Sequence, residues 1–369
     1  MNKIIWSGRS HNFSDNEVKY LTNVIRTADP LTNGKELRIF EKELKKYLKV
    51  KNVFATSSAA ASLEIIALLL NLKKNDEIII PAHTYCASAI SFARNGAKII
   101  WADIDFASRV VSENDIIKKI NKNTKAIVIV HLYGFMFNVS KLKRKINKKI
   151  KIIEDCAQAQ GATFKKKKVG TLGITGCYSF YPTKILGAYG DGGFVTTNNK
   201  NLYLKIRRLR FYGMEQMDSS KWWNKKYFAV ENGTNSRLSE IQAAILNIKI
   251  KYLNTFIKKR IKIAKMYDSG ITNPKIIKPF ENKNNRHVYH LYVVACDNRD
   301  SVLKIMKENK ISLGIQYPYP IHKMFAYKKS TYSDLTNTEN FSKKIFSLPI
   351  YPMLEKAKIK KIINILNKV

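Results

Sequence analysis

The chain has 369 residues, with 66 Lys and Arg against 28 Asp and Glu and a formal net charge of +38. That length allows one large domain beside a smaller one, and 45% hydrophobic with 11% aromatic residues excludes disorder as the default state. Its longest apolar runs, IIALLL (65–70) and AIVIV (126–130), are too short to span a bilayer, and the first residues lack the apolar stretch of a secretory signal, so a cytoplasmic protein without a membrane partner is expected.

In chain order, ATSSAAASLEIIALLL (55–70) opens a helix, expected over 59–72, with Ser57 and Ser58 followed by small residues. The free amides and positive dipole end at Ser58, Ala59 and Ala60 make a phosphate seat, although serine caps are common without one. Apolar strand-like runs follow at 77–82, 97–105, 126–134, 150–158, 176–182 and 192–198, with helices expected at 86–95, 112–121 and 138–147. Strands apolar throughout are buried on both faces, and the alternation with helices predicts an α/β fold with a mostly parallel central sheet and crossover connections. SRLSEIQAAILNIKIKYLNTFIKKRIKIAKMYDSG (236–270) has helical spacing, a Ser-x-x-Ser-Glu start and a Gly stop, and predicts one long helix. A strand at 287–296, a helix at 300–309 and a closing helix at 354–368 complete a smaller α+β part. We place the boundary at residue 250, giving units 1–250 and 251–369.

Four of the strands end in residues with chemistry to offer, and ligands of open α/β sheets gather at carboxyl strand ends. Tyr85, after the first, has a flat ring to stack on a flat ligand. HLYG (131–134) puts a His and a Tyr at another end. Asp155 and Gln158 follow an apolar strand whose Ile152 and Ile153 imply burial, and a buried Asp needs a cationic partner or several hydrogen bonds; a helix-capping role is the plainer alternative. Lys184 differs from the other lysines. It is wedged between an aromatic-proline turn (Tyr181, Pro182, Thr183) and a run with Gly187, Gly190, Gly192 and Gly193.

A phosphate seat, a stacking ring, an Asp for a ring nitrogen, a Gln for a ring substituent and a confined amine together suit pyridoxal phosphate. A desolvated lysine is neutral enough to attack its aldehyde, and Ser179 adds a hydroxyl. Cys86, Cys156, Cys177 and Cys296 are far apart without a C-x-x-C pair, and no histidine cluster has zinc spacing, so no metal is expected. His287 and His290, three apart in a predicted strand, face opposite sides. The lysines are spread over the whole chain with no recognition-helix or RNP-type motif, so a nucleic-acid partner is not expected either.

The segments EDCAQAQGA, SFYPTKILGAYGDGG, RFYGM and NSRLSEIQAAIL resemble the DegT/DnrJ/EryC1/StrS family of nucleotide-sugar aminotransferases over nearly the whole chain. The resemblance implies a fold-type I pyridoxal-phosphate enzyme, normally a homodimer. It implies Lys184 as the cofactor lysine and proton carrier and Asp155 at the pyridine nitrogen. Gln158 would meet the ring hydroxyl, Tyr85 would stack, Ser179 would hold the phosphate, and Asn235 would reach the phosphate in the neighbouring subunit. One departure is Ser58-Ala59-Ala60, where the family has a Gly-Thr or similar pair, which removes a hydroxyl contact. A lysine at 184 disfavours the dehydratase branch, which has His there.

L-Glutamate would give its amino group and leave as 2-oxoglutarate. The acceptor would be a keto group on a nucleotide-linked 6-deoxy sugar. VHLYG and QYPYPIHKM (316–324) resemble the branch acting at C3 of dTDP-3-keto sugars; amination at C4 of a UDP-, GDP- or dTDP-sugar is the alternative, and a non-catalytic pyridoxal-phosphate-binding protein is one of another class. His322, Tyr181 and Tyr317 are candidate sugar or pyrophosphate contacts, against the plainer reading that Tyr317, Tyr319 and Pro320 pack a loop and that His322 is structural.

Overall fold

The computed structural model describes residues 3–214, 227–327, 330 and 334–369. Its centre is a seven-stranded sheet. In chain order the strands are β1 (Asn52–Thr56), β2 (Glu77–Pro81), β3 (Lys98–Ala102), β4 (Thr124–Val130), β5 (Lys151–Asp155), β8 (Thr175–Ser179) and β9 (Gly193–Thr197); the short β6 (Thr163–Phe164) and β7 (Lys167–Lys168) form a hairpin in the β5–β8 connection. The spatial order is β1-β9-β8-β5-β4-β2-β3. Strands β3, β2, β4, β5 and β8 run parallel. Strand β9 runs against both its neighbours, β8 and β1. The sheet is therefore mostly parallel, as the all-apolar runs predict.

Helices cover both faces. Helices α3 (Ala59–Leu70), α4 (Ala87–Arg94), α5 (Glu113–Lys119), α6 (Val139–Lys145) and α7 (Lys200–Leu209) follow the strands, and α3 and α7 pack with Phe54, Cys177 and Val195. On the opposite face, Val53, Ala55, Tyr178 and Phe194 meet α2 (Lys35–Leu48) and α8 (Glu240–Lys249). Alternate residues of one strand thus enter different cores, the period-two rule of a pleated strand.

The helix expected over 236–270 is two helices. Helix α8 starts after Ser239, whose hydroxyl accepts from the Gln242 amide, and ends at Lys249. A 3₁₀ turn, Ile250–Tyr252, then leads into α9 (Leu253–Gly270). No Pro or Gly marks this break. Glu240 does not cap its own helix. Its carboxylate accepts from the amides of Gly34 (2.8 Å), Glu36 (2.6 Å) and Leu37 (3.3 Å), so it caps α2 from a distance of some 200 positions in sequence.

The C-terminal part holds β11 (Tyr292–Ala295) antiparallel to β12 (Ile345–Leu348), with α10 (Arg299–Glu308), α11 (Thr336–Lys344) and α12 (Lys356–Leu366). The strand expected over 287–296 is present only as β11; Asn285–Arg286, labelled β10, pairs with β6 instead. Tyr292, Val294, Phe346 and Leu348 face the small core formed with α9, α10 and α12, whereas Val293, Ala295 and Ile345 face the large one. The first residues also join the small core. The Ile4 amide donates to Lys310 O and its carbonyl accepts from Ser312 N, each at 2.9 Å, so the N-terminal residues pack beyond the 1–250 unit. Helix α1 (Asp15–Thr27) has a capping box of Ser14 and Glu17. Among the described residues, no helix is long and apolar enough to cross a membrane.

Candidate active site

A cavity of about 580 Å³ opens at the carboxyl ends of the parallel strands, where the sheet's helices turn away from the strand tips. Ser58, Ala59, Ala60, Tyr85, Asp155, Gln158, Ser179, Tyr181, Lys184 and Tyr317 all line it. Residues separated by up to 259 positions are thus brought together by the strand-end loops.

Lys184 sits on a loop with little freedom. Its amide donates to Tyr181 O at 2.8 Å, and the Ala188 amide donates to Phe180 O at 2.7 Å. The Gln160 side chain closes the loop from below, donating to Ser179 O at 2.6 Å and accepting from Leu186 N at 2.7 Å. Gly187 is required because a Cβ there would lie 2.4 Å from Pro182 O. The buried Lys249 ammonium adds a bond to the Gly187 carbonyl. Burial pushes the Lys184 amine down to about 8, with the Asp155 carboxylate partly opposing this. The residue keeps some exposure through the cavity, so its amine is desolvated yet reachable.

Asp155 closes β5 and is buried. One carboxylate oxygen accepts from Ser88 Oγ at 2.7 Å and the other from the Ala157 amide at 3.1 Å. Gln158 accepts from the Tyr133 amide at 2.9 Å and donates from Nε2 to the Tyr317 hydroxyl at 2.8 Å; Nε2 carries a second hydrogen for a ligand. The Tyr133 hydroxyl is fixed by His83 Nε2 at 2.7 Å and by the Gln316 carbonyl. Tyr85 and Tyr317 face each other with ring centroids 5.7 Å apart, and Tyr85 is 57% exposed.

Ser58 caps α3, accepting from the Ala61 amide at 3.0 Å. Its oxygen caps the helix, its own proton is left to donate, and the cavity meets the first-turn amides of a helix twelve residues long. Gly193 permits the approach of β9 to this turn, since a Cβ there would lie 2.4 Å from the Ser58 carbonyl carbon. Ser179 Oγ accepts from the Tyr181 amide at 3.2 Å, which leaves its own proton to donate.

Three sequence expectations lie elsewhere. His322 does not line the cavity. Its buried ring hydrogen-bonds to the Glu339 carboxylate on α11 at 3.0 Å, which Lys323 also meets at 2.9 Å, so the ring is not among the residues the cavity brings together. Asn235 is exposed and outside this chain's cavity, accepting from Arg237 Nε at 3.0 Å. His131 points behind the strand ends, with Nε2 2.9 Å from Glu154 and Nδ1 accepting from the Phe137 amide at 3.1 Å. Burial alone would raise the Glu154 carboxyl, but His131 and the Gly173 and Gly170 amides outweigh it and hold it below the usual range. Cys156 completes a close group with these two, but the His131 nitrogens are engaged by Glu154 and the Phe137 amide, and both Glu154 oxygens accept from the amides of the turn at 170–173.

The sequence reading missed Ser88, Asp191, Gln316 and His290, which also line the cavity. The serine was legible only as part of the small-residue start of α4, and the histidine was assigned to a strand that begins two residues later.

A family model described as the DegT/DnrJ/EryC1/StrS aminotransferase family matches residues 12–367. The chain belongs to that family. The aminotransferase is 36% identical over 338 residues to the dTDP-3-amino-3,6-dideoxy-alpha-D-galactopyranose transaminase of Aneurinibacillus thermoaerophilus, covering 91% of this chain and 90% of the relative. It is 32% identical to the dTDP-3-amino-3,4,6-trideoxy-alpha-D-glucose transaminase of Micromonospora megalomicea subsp. nigra, covering 87% and 86%. Its fold superposes on the S. venezuelae DesV structure, solved in complex with a ketimine intermediate, with a TM-score of 0.87 and 30% identity, covering 96% and 94%. The protein is thus an enzyme of the transaminase type, with the fold of the solved sugar aminotransferases.

Proposed function

We propose that this aminotransferase uses pyridoxal phosphate to move the amino group of L-glutamate onto C3 of a dTDP-linked 3-keto-6-deoxyhexose. The observation that carries the reading is the Lys184 amine, desolvated to about 8, in one cavity with the Asp155 carboxylate and the first-turn amides of α3. The residues fit the cofactor. An acid braced by Ser88 and Ala157 suits a protonated ring nitrogen, Tyr85 offers a ring face, and Gln158 Nε2 has a hydrogen for the ring hydroxyl. The amides at Ser58, Ala59 and Ala60 and the Ser179 proton suit a phosphate. When bound, pyridoxal phosphate supplies an aldehyde for amines and a ring that takes up electron density from the carbon being deprotonated.

In each half of the exchange, Lys184 Nζ takes a proton from one carbon and returns it to another. Its depressed basicity suits both directions near neutral pH. The Asp155 carboxyl group, held by Ser88 Oγ and the Ala157 amide, would face the ring nitrogen, and the Gln160 and Lys249 clamps hold the Lys184 loop in reach. Tyr181 and Tyr317 line the cavity wall and would meet the sugar or its pyrophosphate.

The reading includes a homodimer in the cytoplasm. Among the described residues, Lys184 is the one Lys or Arg lining the cavity, beside Asp155 and Asp191, and a partner subunit would add groups for phosphate and pyrophosphate. Asn235, exposed at the surface, would reach the phosphate of the partner's site. The choice of C3 and dTDP rests on the two dTDP-3-amino-sugar transaminase relatives, and surface polysaccharide synthesis is the use that such a product suggests. The test is amination by L-glutamate of dTDP-3-keto- and dTDP-4-keto-6-deoxyglucose. Turnover of the 3-keto sugar is expected; turnover of the 4-keto sugar alone would overturn the assignment of the carbon.

A further inference from the structure

His290 lines the same cavity as Lys184, yet no step above uses it. The side chain is buried, 5% exposed, and its Nδ1 has no hydrogen-bond partner among the described residues. Nδ1 is itself enclosed by protein, so the nitrogen this cavity-lining ring can offer to a ligand is Nε2.

The surrounding structure fixes the residue firmly. The buried Arg260 guanidinium donates from Nη1 to the carbonyls of Tyr289 (3.1 Å), His290 (3.1 Å) and Ile350 (2.8 Å). This ties the turn before β11 to α9 and to the segment after β12. On the other side, Gly134 packs against the His290 amide, where a Cβ would come within 3.0 Å. Thus a residue of the C-terminal part is held in the wall of a cavity otherwise built largely by the sheet.

We propose that His290 contacts the acceptor substrate, its imidazole hydrogen-bonding a ring hydroxyl of the keto sugar. This rests on the sugar aminotransferase reading above. The chemistry favours a hydroxyl over the other polar groups a substrate brings. Burial keeps the ring well below its ordinary basicity, and the nearby Lys184 and Arg260 charges push the same way. The ring is therefore neutral, with one donor and one acceptor nitrogen. Phosphates and glutamate carboxylates only accept hydrogen bonds and call for a cation, whereas a hydroxyl both donates and accepts and matches a neutral imidazole. L-Glutamate has no hydroxyl, so the contact would serve one half-reaction only.

The test compares wild type with His290→Phe, which keeps a ring, and His290→Gln, which keeps a donor and an acceptor. For the pyridoxal-phosphate-loaded enzyme, each half-reaction is followed separately by absorbance, with L-glutamate and then with the dTDP-3-keto sugar. In parallel, calorimetry measures binding of dTDP and of dTDP-glucose. We expect His290→Phe to lower kcat/KM for the sugar roughly 10- to 100-fold, at least tenfold more than for glutamate. Weaker binding of dTDP-glucose with dTDP binding little changed should accompany this, and His290→Gln should recover part of both. Equal losses in the two half-reactions, or no loss in either, would overturn the proposal. A wild-type enzyme that transaminates glutamate but neither binds nor turns over any dTDP-sugar would instead remove the sugar-nucleotide reading, and the hydroxyl contact would fall with it.

Discussion

Lys184 shows how a side chain acquires chemistry from its surroundings. Its Nζ belongs to a chain with 66 basic residues, but this amine is buried at the end of a closed loop and moved down to about 8. Because the charged form is the one disfavoured, the neutral amine grows as pH rises through that value. Capture of pyridoxal phosphate by the apoprotein should therefore speed up with rising pH and level off above about 8, as followed by stopped-flow absorbance. A rate that falls across the same interval would contradict the desolvated amine. Most of the site at this scale was legible in the sequence, because the strand-end position and apolar neighbours of Asp155 and the glycine company of Lys184 are local signals. His322 and His290 were not. Whether a histidine meets a ligand or a carboxylate depends on Glu339 in one case and on Arg260 in the other, both contacts made only by the tertiary fold.

Elements read well wherever their signals were local. Strands β2, β4 and β5 were apparent as apolar runs because a parallel sheet buries both their faces. Strands β1 and β12 were missed: each is five residues or fewer and is defined by a partner distant in sequence, β9 for one and β11 for the other. The break between α8 and α9 is similar, since the residues from Lys249 to Leu253 keep helix-like dihedrals and no helix breaker announces the turn. Glu240 illustrates the cost of reading only locally. It sits in the first turn of α8, where an acid favours its own helix N-terminus, yet it serves the N-terminus of α2. Replacing it with Ala leaves three buried or half-buried amides without an acceptor. We expect Glu240→Ala to lower stability by about 3 kcal/mol, measured as a fall in the denaturant midpoint, whereas Glu240→Gln should lose less. An Ala variant as stable as wild type would show that water replaces the carboxylate at no cost.

For the whole molecule, the α/β architecture followed from the alternation of apolar runs and helices, and the family match over residues 12–367 agrees with it. We place the division into a large and a small unit near residue 250, and packing crosses it. The β11–β12 pair shares its two faces between both cores, Ile4 crosses to the small one, and His290 returns from the small part to the cavity wall. The account as a whole stands on one claim, that this cavity with Lys184 at its base performs transamination. The most direct measurement is the absorption spectrum of the purified protein with pyridoxal phosphate, recorded before and after addition of L-glutamate, with Lys184→Ala alongside. We predict a visible band from cofactor bound to Lys184 that fades as glutamate converts it to the amine form, and neither the band nor the conversion in the variant. A wild-type protein that gives no band, or a Lys184→Ala variant that converts as fast as wild type, would contradict it.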